Sequence, residues 1–301
     1  MSKADQLFIK NCQDILANGV WDTDYPVRPK WEDGTPAHTI KKFGIINRYN
    51  LREEFPILTI RQQFFKSAVD ELLWIWQKKS NNVKDLASHV WDAWADKDGS
   101  IGDAYGYQLG LLFRHHLYGK DELVDKSRFP SIYVSDCVGG TSWVYMDQVD
   151  AALWDLTFNR TSRRIITNIF NHRDLADMNL QPCAYSMTFN VSGQVLNGIL
   201  NQRSQDMLTA NGWNVMQYAA LLTMIANVSG LIPGELVHVI ADAHIYDRHI
   251  PIVKEIISRK PFEAPQVTLD PCGSFYDFTP SHFIVEGYQY HTLNTAIPVA
   301  V

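Results

Sequence analysis

Apolar residues recur at roughly helical intervals at Leu7, Ile9, Cys12, Ile15 and Leu16, and Gly19 follows, so the pattern predicts one helix and its stop. Residues 21–39, rich in Pro, Gly and charge, read as a long ordered loop. β-Branched and aromatic residues crowd residues 39–49 (TIKKFGIINRY) and predict a strand. Pro56 breaks the chain before a helix predicted over residues 62–77, with Phe64/Phe65, Ala68, Leu72/Leu73 and Trp76 on one face. Residues 147–156 predict a further helix and 164–170 a strand. Residues 185–191 and 195–200 predict two strands, joined by Ser192-Gly193 in a hairpin. Residues 212–228 read as an apolar helix buried on most sides, 236–241 as a strand and 246–258 as a helix. Residues 110–145 follow neither period and are expected to form a surface insertion in a single domain spanning 1–301. Strands and helices in irregular alternation around a central hairpin predict an α+β fold.

Composition narrows the function. Lys plus Arg number 27 against 33 Asp plus Glu, and the net charge of −6 without a long basic run argues against general nucleic-acid binding. The most apolar stretch, residues 218–232, contains Thr223, Asn227, Ser229 and Gly230 and is too short to span a membrane. Charges stand where a signal peptide would carry its apolar region, and the four cysteines form no Cys-x-x-Cys pair. These features predict a reduced, cytoplasmic protein. No His/Cys/Asp cluster has metal-ligand spacing, so no metal is expected.

Several residues could carry chemistry. Cys183 follows Pro182 with no histidine beside it, so as a nucleophile it needs positive charge supplied by the fold; a buried structural cysteine is the alternative. Arg203-Ser204 offers a guanidinium fork beside a hydroxyl, which suits phosphate, and Arg163-Arg164 is a second basic pair. Glu71 sits in the most apolar part of its helix, on a solvent edge or in a pocket that raises its pKa. His244 and Tyr246 stand two apart after a strand. Trp74, Trp76, Trp91 and Trp94 crowd one region and could stack on a planar ring.

Taken in order, Arg28, Glu71-Leu-Leu-Trp74, Trp91-Asp-x-Trp94, Tyr105-Gly-x-Gln108, Ser162-Arg-Arg164, Pro182-Cys183, Gln202-Arg-Ser-x-Asp206, Asn214, Asp242-x-His-x-Tyr246 and Pro298-Val-Ala-Val301 resemble thymidylate synthase, from about residue 5 to the C-terminus. The resemblance implies a mixed β-sheet layered with helices, dimerising through the sheets. It also implies reductive methylation of dUMP to dTMP, with 5,10-methylenetetrahydrofolate as carbon and hydride donor leaving as dihydrofolate. By this likeness Cys183 adds to uracil C6, its pKa lowered by clustered guanidinium groups. Arg203, Ser204 and Arg28 hold the phosphate, with Arg163 and Arg164 reaching it from a partner subunit. Asn214 bonds the uracil edge, where Asp would favour cytosine, and His244 and Tyr246 bind the sugar 3′-hydroxyl. Glu71 relays protons through ordered water, and Tyr105 lies near the base. Asp206 is assigned to both the nucleotide site and the pterin, and Val90, Trp91, Trp94, Leu180, Trp213 and Val301 to the folate.

Ala184 stands where the family usually has His, Thr188 where it has Gln, and residues 209–213 also depart from the usual pattern. Three other readings compete, and the sequence leaves only the first open, since the second does not account for the arginines or the terminal Pro-Val-Ala-Val and the net charge of −6 opposes the third. A dUMP or dCMP hydroxymethylase of the same fold would add water in place of hydride. Cys183 with His244 could form a hydrolase pair, and the basic pairs could contact RNA.

Overall fold

The computed structural model describes residues 2–300 except 120, 121, 123 and 138. Helix α1 (Lys3–Asn18) starts at Ser2, whose hydroxyl accepts from the Asp5 N–H, and ends where the Gly19 N–H donates to the Ile15 carbonyl. The Asp5 carboxylate turns inward. It accepts the Thr59 and Ile60 N–H groups and the Thr59 hydroxyl, which ties α1 to the segment ahead of the second helix. Short strand β1 (Val20–Trp21) and long β2 (Thr39–Asn50) follow, then α2 (Phe65–Trp76) and the one-turn α3 (Gly106–Gly110).

Within residues 110–145 lie β3 (Phe113–Leu117), β4 (Tyr133–Val134) and β5 (Trp143–Met146), an antiparallel sheet in the order β3-β5-β4. The region is not wholly a surface feature, because Val144 of β5 and Phe129 and Ile132 of the loop before β4 are buried in the main core. Helix α4 (Gln148–Phe158) leads to β6 (Ile166–Asn168), and β7 (Ala184–Ser192) turns at Gly193 (φ +64°) into β8 (Val195–Asp206). Helix α5 (Asn211–Val228) then crosses to β9 (Ile232–Tyr246), α6 (Ile250–Ile257) follows, and β10 (Gln266–Leu269) pairs with β11 (Phe283–Glu286).

The six-stranded sheet runs β1-β2-β9-β8-β7-β6, with β8 and β9 parallel and the other pairs antiparallel. A parallel pair needs a long crossover, which α5 provides. Alternation along the strands separates two faces. Asn47, His238, Leu200, Met187 and Thr167 form one cross-strand row and all are buried on the side that α5 covers. The adjacent row, Arg48, Val237, Ile199, Thr188 and Ile166, lies on the opposite face, where Ile199 and Ile166 are exposed. The α+β class and mixed sheet agree with the sequence reading. The boundaries differ where strands are central: β8 and β9 continue through polar residues to Asp206 and Tyr246, because β8 pairs with β9 as far as Asp206 and His244, and β2 pairs with β9 as far as Tyr246.

A buried ionic clasp joins the small sheet to the rest. Lys79 donates to the Asp147 carboxylate and, at 2.8 Å, to the Tyr276 hydroxyl, which donates to Asp150 at 2.5 Å. Asp150 also accepts the Ser131 N–H and hydroxyl, both at 2.6 Å, and Asp147 caps α4. Burial pushes the Asp147 carboxyl above its ordinary value against the pull of Lys79. Removing the ammonium strands a carboxylate in the interior, so Lys79→Met is expected to cost about 3–5 kcal/mol in urea unfolding. A loss below about 1 kcal/mol, the scale of an exposed pair, would remove the clasp from the stability of this fold.

Candidate active site

Cys183 sits immediately before β7, at the end of the sheet where β8 carries Gln202 to Asp206. Its carbonyl accepts from the Arg203 N–H at 3.0 Å. The Arg203 side chain folds back on the same turn, Nε donating to the Pro182 carbonyl at 2.9 Å and Nη2 to the Gln181 carbonyl at 2.7 Å. That geometry sets Nη2 3.6 Å from the Cys183 sulfur. On the other side the Cys183 N–H donates to the Tyr105 hydroxyl at 3.3 Å. Tyr105 reaches it from a left-handed backbone (φ +48°), a strained state for a non-glycine residue held by packing around it.

Burial pushes the Cys183 thiol above its ordinary value, and Arg203 and Arg28 pull it down without overcoming that. The expectation that guanidinium groups lower this pKa therefore fails for the single chain, because desolvation outweighs two charges. Arg28 is exposed in the loop before β2, and its side chain makes no hydrogen bond among the described residues. Its charge nonetheless acts on both Cys183 and Tyr246.

Beside the thiol lies a connected set of amides. Gln202 is the cross-strand partner of Ala184. Its Nε2 donates to Asn214 Oδ1 at 3.1 Å, and its Oε1 accepts from His238 Nε2 at 2.8 Å. Burial holds His238 neutral, pushing its pKa down to about 3. Gln205 Nε2 also donates to Asn214 Oδ1, at 3.3 Å, so that oxygen already has two donors. Asn214 Nδ2 donates to Gln217 Oε1 at 3.1 Å, leaving one N–H for a ligand. Gln217 Nε2 donates to Glu71 Oε1 at 3.0 Å, and Trp213 Nε1 to Glu71 Oε2 at 3.0 Å. Gly212 permits this approach of α5, since a Cβ there would lie 2.8 Å from Gln63 and Leu58 atoms.

Burial raises the Glu71 pKa to about 7, against the pull of Gln217, Trp213 and Trp91. Trp91 anchors an aromatic wall, with its ring centroid 4.7 Å from Tyr105 and 5.8 Å from both Trp74 and Trp94. Leu180 is half-buried near this wall and Val90 is exposed. At the end of β9, His244 Nδ1 lies 2.8 Å from Asp242 and its ring packs edge-on against Tyr246. Asp206 accepts from the Leu208 and Thr209 N–H groups and the Thr209 hydroxyl, and lies 3.6 Å from His249 Nδ1. His249 Nε2 in turn donates to the Pro298 carbonyl at 2.8 Å, so the C-terminal segment runs beside the site. Val301 lies outside the described residues.

The structure brings together Cys183, Arg203, Tyr105, Asn214, Glu71 and Trp213, with Tyr246 and Arg28 in electrostatic contact. It does not bring Arg163 and Arg164 to them. Both are exposed ahead of the edge strand β6, with no side-chain hydrogen bond or ion pair among the described residues. Among the described residues no cluster of His, Cys, Asp or Glu could hold a metal ion, and no helix is long and apolar enough to cross a membrane. The sequence reading missed His238, Gln205 and Gln217 altogether and used Gln202 only as part of a motif. A glutamine inside the apolar helix at position 217 was the available signal.

The raised Glu71 pKa has a stability consequence. A carboxyl whose folded value lies above its unfolded value stabilises the fold fully below pH 4.5, and this contribution fades as pH rises through about 7. Wild type is expected to lose about 3 kcal/mol from this group over that window, and Glu71→Gln to flatten the curve. Equal slopes for the two proteins in urea titrations at pH 4.5 to 8 would contradict the burial of Glu71.

The family model for thymidylate synthase matches residues 6–301. A thymidylate synthase of Bacillus subtilis subsp. natto is 39% identical over 295 residues, 96% of each chain, and that of Bacillus phage phi3T is 39% identical over the same span. The solved structure of thermostable thymidylate synthase A from Bacillus subtilis superposes with a TM-score of 0.84 at 39% identity, covering 99% of both chains.

Proposed function

The chain belongs to the thymidylate synthase family, and from that premise we propose how its own residues carry out the methylation of dUMP to dTMP. The co-substrate of the family, 5,10-methylenetetrahydrofolate, supplies both the carbon and the hydride. The observation that carries the assignment of residues is the Cys183 thiol, set beside the Arg203 guanidinium and one strand from the Asn214 amide.

Cys183 is the nucleophile toward C6 of the uracil ring, since its sulfur is the one soft nucleophile in the cluster. Two edges of Arg203 are spent on backbone carbonyls, and the remaining N–H groups, with the Ser204 hydroxyl and Arg28, hold the nucleotide phosphate. The free Asn214 N–H suits the carbonyl at uracil C4, whereas the amino group of cytosine would oppose it. His244 and Tyr246 take the sugar hydroxyl, and Asp242 orients the imidazole. Glu71, with a pKa near the working range, moves protons at the base, and Tyr105 lies where the C5 proton departs. The aromatic wall of Trp91 and Trp94, with Leu180, Trp213 and Val90 at its rim, fits a flat pterin and excludes water from the reacting carbon. Asp206 offers that pterin a carboxylate kept ionised, because His249 and Thr209 outweigh the effect of its burial. By the family likeness Val301, outside the described residues, is assigned to the folate.

The exposed sheet face is apolar across several strands, with Phe43, Ile46, Ile166 and Ile199 uncovered, and it pairs with the same face of a second copy. Arg163 and Arg164 of that copy complete the phosphate site. Their charge pulls the Cys183 thiol downward, which closes the gap that burial opens in the isolated chain.

Incubation with dUMP and methylenetetrahydrofolate should yield dTMP and dihydrofolate; tetrahydrofolate with a hydroxymethylated product would contradict the reading. Cys183→Ser should abolish turnover and leave the thermal transition in place, because a hydroxyl is a far weaker nucleophile at neutral pH. Activity surviving in that variant would take Cys183 out of the mechanism.

A second test addresses the shared site. Mixing Cys183→Ser subunits with subunits carrying Arg163→Ala and Arg164→Ala makes about half the dimers mixed, each with one complete site, so about a quarter of all sites should work. No recovery after demonstrated exchange would place the arginines in their own chain.

A further inference from the structure

An amide can face either way round, and the two ends of the Asn214 network decide which. Gln217, buried at 2% exposure, donates from Nε2 to the Ala68 carbonyl at 3.1 Å as well as to Glu71. A backbone carbonyl only accepts, so the NH2 of Gln217 must point there and its Oε1 must point at Asn214. Asn214 therefore turns Nδ2 to Gln217. At the other end, Gln202 Nε2 donates to the Ser204 carbonyl at 3.2 Å, which fixes that NH2 and presents a donor to Asn214 Oδ1. The two constraints agree. No water is needed to connect Asn214 to Glu71, because the Gln217 side chain fills that path.

We infer that Gln217 is a positioning residue that sets the orientation of the Asn214 amide and joins that amide directly to Glu71. This rests on the proposed roles of Asn214 at the base and Glu71 in proton transfer. A flipped Asn214 would set Nδ2 against the NH2 groups of Gln202 and Gln205 and Oδ1 against the carbonyl oxygen of Gln217, three mismatched contacts in a buried site. It would then present an acceptor to the base and welcome an amino group where a carbonyl belongs. The same glutamine supports the ionised form of Glu71 by donating to it. The other titratable groups near that carboxylate are Asp70 on α2 and Tyr218 on α5, whereas Trp91 and Trp213 only donate. Ionisation of Glu71 and orientation of the base-binding amide are thus two readouts of one side chain.

Two variants separate these arms. Gln217→Met keeps the volume and removes every polar contact. It is expected to lower the ratio of dCMP to dUMP dissociation constants about tenfold and to move the Glu71 inflection in the pH profile of kcat/KM up by about one pH unit. Gln217→Glu keeps an acceptor toward Asn214 but sets a carboxyl against Glu71. Its selectivity should stay near wild type while the inflection again rises. A wild-type ratio and inflection in the Met variant, or an equal loss of selectivity in both variants, overturns the inference. Wild type that fails to turn over dUMP, or an inflection that persists in Glu71→Gln, overturns the underlying roles, and the inference falls with them.

Discussion

Arg203 holds the turn on which the site depends. Its main chain bonds the Cys183 carbonyl, its side chain bonds the carbonyls of Gln181 and Pro182, and the Nη2 that reaches Gln181 also faces the sulfur. One residue thereby sets the position of the Cys183 thiol, the proposed nucleophile, supplies its nearest positive charge and retains donors free for a ligand. Such a guanidinium cannot be exchanged for an ammonium, which has no planar fork to span two carbonyls while touching a third group. The β7–β8 hairpin is what makes the arrangement rigid, because β8 is paired on both sides and carries Arg203 in the sheet rather than on a loop.

Around that turn the two faces of the sheet take different tasks. The covered face holds the polar network from His238 through Gln202, Asn214 and Gln217 to Glu71, each group fixed by its neighbours. In a low-dielectric interior such a network is costly where a group goes unpaired; from Gln202 to Glu71 each amide donor meets an acceptor, while His238 Nδ1 at the far end has no partner among the described residues. The other face leaves apolar side chains uncovered, and Arg163 and Arg164 have no side-chain partner among the described residues. The isolated chain also keeps Cys183 protonated more firmly than a nucleophile should be. The proposed second subunit would answer both features, by covering the apolar face and adding positive charge at the thiol.

Much of the fold was legible because its signals are local. The period of α1, the β-branched run of β2 and the Ser192-Gly193 turn each depend on a few neighbouring residues. The full lengths of β8 and β9 were not, since Ser204 to Asp206 are strand residues only by pairing with β9, and Asp242 to His244 by pairing with β8 and β2. The sheet of β3, β4 and β5 escaped notice because its strands are two to five residues long and pair across long separations. At the site, the order of motifs singled out Cys183, Arg203, Asn214 and Glu71, which the structure brings together, whereas Gln217 was signalled only as a glutamine inside an apolar helix and His238 not at all. Their contacts join helix to helix and strand to strand, and no spacing within the chain encodes them.

The central claim is that Cys183, held by Arg203, forms a bond to the pyrimidine. It is tested most directly with 5-fluoro-dUMP, in which fluorine replaces the C5 proton whose loss would release the enzyme. After incubation with this analogue and methylenetetrahydrofolate, mass analysis of the denatured chain should show one added nucleotide and one added folate. Peptide mapping should place both on the segment containing Cys183. An adduct on Cys12, Cys137 or Cys272, or no adduct in a preparation that turns over dUMP, would contradict the account.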